Sequence, residues 1–176
     1  MTVHSIKMAI GHGGGGIAIK GRPLASMVHL KRSIVEVKAE ENCLAHALII
    51  SIVKLINDSD YNAFRKWYKI RPVLDHLLVT TGIDLTNGGG IPELMKIQEH
   101  FKEYRILDFG GLIYEDIMFA GQVHSKKRIN QLYDDVTHHY HVINVTGALS
   151  RKYFCKGSNK GHESGVTHRC QESCSD

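Results

Sequence analysis

A chain of 176 residues with 43% hydrophobic content is long enough for one ordinary core and too short for two sizeable domains without shared support. Its net charge of +4 comes from Lys and Arg residues scattered along the chain, a pattern that permits nucleic-acid contact without arguing for it. No stretch approaches the roughly 18 to 20 apolar residues of a membrane span, and Met1 to Ile10 is too weakly apolar for a signal peptide, so the expectation is an intracellular protein, cytoplasmic or nuclear, without membrane contact.

Residues 1–32 read as a flexible, glycine-rich leader. Gly11, Gly13 and Gly16 have the spacing of a dinucleotide-binding loop, but Ile17 to Pro23 is no amphipathic helix and no βαβ unit follows, so a phosphate loop is not expected. Ser33 to Lys38 alternates apolar and polar residues and predicts a short strand. Leu44 to Ile56 is nearly all apolar and predicts a central buried helix, stopped by Asn57 to Asp60, which also cap the next segment. In that segment Tyr61, Phe64, Trp67 and Tyr68 recur at helical spacing and are expected in the core. Pro72 to Leu78 predicts a third helix closed near Gly82, and the loop Asn87 to Gly90 leads into a fourth that opens on Ile91-Pro92-Glu93. From Tyr104 the period changes, and Tyr104–Phe109, Asp116–Phe119, Arg128–Tyr133 and Tyr140–Val145 predict strands. Helices first and strands afterwards make residues 33–150 an α+β domain, its N-terminal helices packed on a C-terminal antiparallel sheet.

Cys43 stands at the mouth of the apolar helix, where first-turn N–H groups and the helix dipole favour a thiolate. Thr137 to Val145 places His138, His139 and His141 at or near the start of a strand about a hundred residues later. Cysteine early and histidine late is the order of a papain-like thiol hydrolase.

The segments Glu40-Glu41-Asn42-Cys43-Leu44 and His139-Tyr140-His141-Val142 resemble the cysteine and histidine motifs of the ovarian-tumour-type (OTU) deubiquitinases, a branch of the papain-like fold. The resemblance implies Cys43 as nucleophile, His139 as general base, and an oxyanion hole from the backbone of Glu41, Asn42 and Cys43. It also implies a protein substrate, of the ubiquitin-like kind in that family, and no cofactor for catalysis. Glu41 stands where the family keeps glycine, and His141 where it keeps Asp or Asn, so the orienting group is open among His141, Asn144, Asp134 and Asp135. His141 is itself an alternative base, because it shares a strand face with His139.

From about Val37 to Asp176, phrases such as Thr80-Thr81-Gly82-Ile83-Asp84-Leu85 and Gly89-Gly90-Ile91-Pro92-Glu93-Leu94 resemble the region that precedes the exonuclease and polymerase domains in Maverick/Polinton-type transposon proteins. That resemblance implies an alternative function: a non-catalytic fragment of a protein-primed B-family DNA polymerase that binds nucleic acid or a partner during DNA replication. A chain of 176 residues has no room for a polymerase palm. Residues 151–176 read as a degenerate zinc-knuckle tail, in which Cys155, His162, His168, Cys170 and Cys174 supply enough donors for zinc at unusual spacing.

Overall fold

The computed structural model describes residues 33–66, 68–110, 116–135, 137–144, 153–155 and 160–162. It is an α+β fold of four helices and a five-stranded mixed sheet, with a separate two-stranded ribbon.

The stub β1 (Ile34–Val35) leads to α1 (Cys43–Leu55), which buries ten of its thirteen residues and is therefore the central helix. Its C-terminal carbonyls are capped by a reversal at Asn57, whose φ of 52° places it in the left-handed region. The short α2 (Tyr61–Arg65) follows an Asx turn in which the Asp58 carboxylate accepts the Asp60 N–H at 2.7 Å. Tyr61 and Phe64 pack on the core as their spacing predicts, but Tyr68 is 83% exposed, because α2 ends at Arg65 before that residue can join its apolar face. Trp67 lies outside the described residues.

Helix α3 (Ile70–Thr81) ends at Gly82, which takes φ 62° as its C-cap. Helix α4 (Ile91–His100) starts as its sequence predicts, with Pro92 in the first turn and the Glu93 carboxylate accepting the Gly90 N–H at 2.7 Å. The strands β2 (Arg105–Gly110), β3 (Asp116–Ala120), β4 (Arg128–Asp134) and β5 (His139–Ile143) complete the sheet in the order β1-β5-β4-β2-β3.

This sheet is mixed rather than antiparallel. After the β2–β3 hairpin the chain crosses the end of β2 and lays β4 on its far side, so β2 and β4 run parallel while every other pairing is antiparallel. The sheet also takes β1 from the N-terminal side, paired at Ile34 with Ile143 and at Val35 with Val142.

Alternation divides the sheet into two faces. Ile106, Ile129, Tyr133, Tyr140 and Val142 join one core with α1, α3 and α4. Leu107, Phe109, Leu132 and Ile143 occupy the opposite pleats and are buried as well, so both faces are covered. Strands β6 (Tyr153–Cys155) and β7 (Lys160–His162) form the antiparallel ribbon. Among the described residues no helix is long and apolar enough to cross a membrane.

Candidate active site

Cys43 is the first residue of α1 and is 5% exposed. Asn42 before it takes φ 56° and ψ 29°, the left-handed turn that swings the incoming chain into the helix. Among described non-glycine residues only Asn42, Asn57 and His138 have positive φ. The loop thus places its strained position at an Asn, which tolerates that region, and Glu41 sits where no glycine is required. The Asn42 carbonyl accepts from the His46 backbone N–H at 3.0 Å and from His46 Nδ1 at 3.1 Å, so one helical turn holds the loop in place.

A cleft of about 400 Å³, with Cys43 among its lining residues, opens between residues 40–44 and the α3–α4 connection from Ile83 to Gly89. Gly89 lies so close to the first turn of α1 that a Cβ there would stand 2.5 Å from Leu44 Cδ2. The Tyr140 hydroxyl donates to the Gly89 carbonyl at 3.3 Å and ties this wall to the sheet.

Three peptide N–H groups, those of Tyr140, Leu44 and Cys43, favour the thiolate of Cys43. Burial opposes them and prevails, so the thiol pKa is pushed up rather than down. The helix-start position alone predicts an acidic thiol; exclusion of water outweighs the N–H groups here.

His139 opens β5 immediately before Tyr140 and points to the opposite pleat. Its Nδ1 is buried without a hydrogen-bond partner, and burial pushes its pKa down against the charges of Asp134 and Glu36. No hydrogen bond joins Cys43 to His139 among the described residues: the thiol and the imidazole are both neutral at rest, and alternation along β5 turns the His139 side chain to the sheet face away from α1, so the two groups are brought to neighbouring residues of one strand but not into contact. Asp134 is the cross-strand partner of His139, is 1% exposed, and accepts from Thr137 Oγ1 at 2.9 Å. Asp135 follows in the turn and is exposed.

His141 stacks on His139, with ring centroids 6.2 Å apart and 20° between the planes. Its Nδ1 accepts the Val37 N–H at 3.1 Å, so this ring ties β5 to the chain that delivers Cys43, and no hydrogen bond links it to His139. Burial pushes its pKa down to about 4, which leaves it a neutral structural imidazole rather than a base. Asn144 is corrected more sharply. It lies past the far end of β5, about 16 Å along the strand from His139 at roughly 3.3 Å per residue. Its N–H bonds Ser33, so it cannot orient His139.

Beneath the first turn of α1 lies a buried polar group that sequence reasoning passed over. Asp108 and Gln131 are cross-strand neighbours, both 0% exposed, and Gln131 Nε2 donates to the Leu44 carbonyl at 3.4 Å. Both Asp108 oxygens are buried, and burial pushes its carboxyl well above the usual range against the opposing Phe109 N–H, which favours the neutral form. Its signal was available for Asp108, the single polar residue of the run Ile106–Phe109, and less so for Gln131, which follows Asn130 between Ile129 and Leu132. Tyr133 also belongs here, sharing a 3.0 Å hydrogen bond with His138 Nδ1 and pushed up to about 12, first by burial and then by the charge of Cys43.

Of the zinc-knuckle residues, Cys155 is buried and faces Lys160 across the ribbon, while His162 pairs with Tyr153 at its other end. His168, Cys170 and Cys174 lie outside the described residues. Among the described residues no group of three or more His, Cys, Asp or Glu side chains is placed to hold a metal. Comparison of the chain with protein-family models, with curated proteins and with solved structures gives no match in any of the three.

Proposed function

We propose that this domain is a thiol hydrolase of papain-like, OTU-like type, acting on amide or isopeptide bonds of a protein substrate, with Cys43 as nucleophile, His139 as base and Asp134 as the group that orients the base. The observation that carries the reading is the cysteine at the start of a buried helix, open to a cleft and met by the N–H of the residue next to a histidine whose Nδ1 is buried and unpartnered. Asp134 replaces His141 and Asn144 as orienter because it faces His139 across the ladder.

From a neutral resting pair the base takes the thiol proton as attack proceeds. The Cys43 sulfur bonds to the carbonyl carbon, the N–H groups of Asn42 and Cys43 hold the developing oxyanion, and His139 returns the proton to the leaving amine. Water then cleaves the thioester with His139 again as base.

The test is hydrolysis of a fluorogenic ubiquitin C-terminal amide and of a panel of peptide amides. Cys43→Ala is expected to abolish turnover while the thermal midpoint stays near that of the parent, and His139→Ala to lower kcat/KM by about 10²–10⁴-fold. Because burial lowers the His139 pKa, the base stays neutral below its ordinary value, and kcat/KM should hold on the acid side of pH 6.5. Turnover that survives Cys43→Ala would overturn the proposal, as would a parent protein inert toward the whole panel.

A further inference from the structure

Asp108 and Gln131 occupy facing positions on adjacent strands, and the hydrolytic chemistry uses neither side chain. Both are 0% exposed. They lie on the face of the sheet that meets α1, because Asp108 shares its pleat with Ile106 and Gln131 shares its own with Ile129 and Tyr133, all packed in the core with that helix. Gln131 bears out the placement by donating through Nε2 to the carbonyl of Leu44, the residue after Cys43. That bond fixes which way the amide is turned, and it leaves Oε1 buried without a hydrogen-bond partner.

The partner that Oε1 lacks has to be a donor. An ionised Asp108 only accepts, and two acceptors held together away from water repel each other, whereas a carboxyl that keeps its proton has one O–H to give. Neighbouring strands lie about 4.8 Å apart, which puts the carboxyl within reach of the amide. Among the described residues no cationic side chain acts on Asp108, and the Phe109 N–H alone supports its charge. The titratable groups about it are Tyr133 on β4, Tyr140 on β5 and, beyond them, Cys43 on α1, each kept uncharged by burial. Its partner on β3 is the apolar Phe119, and Glu93 of α4 acts on the far side of Tyr140.

We propose that Asp108 keeps its proton in the folded protein and donates through its O–H to Gln131 Oε1, making the two a positioning pair that holds the first turn of α1, and with it Cys43, against the sheet. The carboxyl fixes the amide, and the amide fixes the Leu44 carbonyl. Loss of the proton sets two acceptors against each other, turns Nε2 of the amide toward the carboxylate and releases that carbonyl. The pairing stands without reference to catalysis. Its value to catalysis rests on Cys43 being the nucleophile, so the decisive readouts are ones that turnover does not enter.

The experiment is infrared difference spectroscopy of the full chain against Asp108→Asn at pH 7, where ordinary carboxyl groups have lost their protons. The parent should show the carbonyl stretch of one un-ionised carboxylic acid, below the frequency of an acid that makes no hydrogen bond, and Asp108→Asn should lack it. In Gln131→Met, which removes the acceptor, the band should move to higher frequency. Alkylation of Cys43 by iodoacetamide at the same pH should quicken about tenfold in Gln131→Met and stay within about twofold of the parent in Asp108→Asn, whose amide N–H still reaches Oε1. The proposal is overturned by a parent without the band, by a band at the frequency of an unbonded acid, by a frequency that ignores Gln131→Met, or by labelling unchanged in that variant. The parent's own band decides the matter even where Gln131→Met fails to fold. A parent that shows the band and the protected thiol but hydrolyses nothing upholds the pair and overturns the hydrolase reading alone.

Discussion

At the residue scale the most consequential side chain outside the chemistry is His141. In the unfolded chain its pKa returns to about 6.5, whereas burial in the folded chain holds it to about 4, with Asp134 and His139 the charges that face it. Between those values the unfolded state binds a proton that the folded state refuses. The stability contributed by the neutral ring is therefore complete above pH 6.5 and is lost as the pH falls toward 4, a loss of up to about 3 kcal/mol. His141→Asn keeps an acceptor for the Val37 N–H but has nothing to titrate. Urea midpoints measured across this range should fall less steeply in the variant than in the parent, and the difference isolates His141 from His46 and His139, whose pKa values burial also lowers. Equal slopes would refute the assignment. None of this was legible in the sequence, where His139 and His141 are alike in type and share a strand face. What separates them is a backbone N–H supplied by a segment 104 residues away.

At the scale of elements, the clearest junction is between α4 and β2. Gln98, 6% exposed, donates through Nε2 to the carbonyls of Phe101 and Tyr104 and accepts the Ile106 N–H at 2.9 Å through Oε1. One amide thereby satisfies the backbone where a helix turns into a strand, and a Cβ at Gly121 would fall on Gln98 Oε1. Gln98→Leu removes the partner of the Tyr104 carbonyl and of the Ile106 N–H, while the Phe101 carbonyl keeps the Tyr104 N–H, and should cost about 2–4 kcal/mol in urea unfolding. Helices α1, α3 and α4 were legible because apolar spacing and end signals agree in each. Strand β1 was expected from Ser33 to Lys38 and covers only Ile34–Val35. The ladder stops there because His141 Nδ1 takes the Val37 N–H that backbone pairing would otherwise claim. The parallel contact of β2 with β4 was not legible either, since short β-branched runs carry no information about which neighbour each strand will choose.

At the scale of the whole molecule, the site depends on parts that are far apart in the chain. The cysteine and histidine segments were readable one by one, as a polar loop before an apolar helix and as imidazoles at a strand start. The cleft wall from Ile83 to Gly89 was not, nor was which of the candidate orienting groups faces His139, because these are settled only by sheet register and by the docking of α1. The hydrogen bond from Val37 to His141 spans 104 positions, and that from Gln131 to Leu44 spans 87. Contacts of such separation repay the entropy of loop closure only once most of the chain is ordered. Seating of α1 on β5 should accordingly be a late event in refolding, with the thiol open to solvent until then. Pulses of alkylating reagent during refolding are expected to label Cys43 well after far-ultraviolet circular dichroism reports formed helix, and protection that rises together with the helical signal would contradict this order. A protein that assembles its reactive sulfur last is vulnerable to oxidants chiefly while it is being made, and far less once folded.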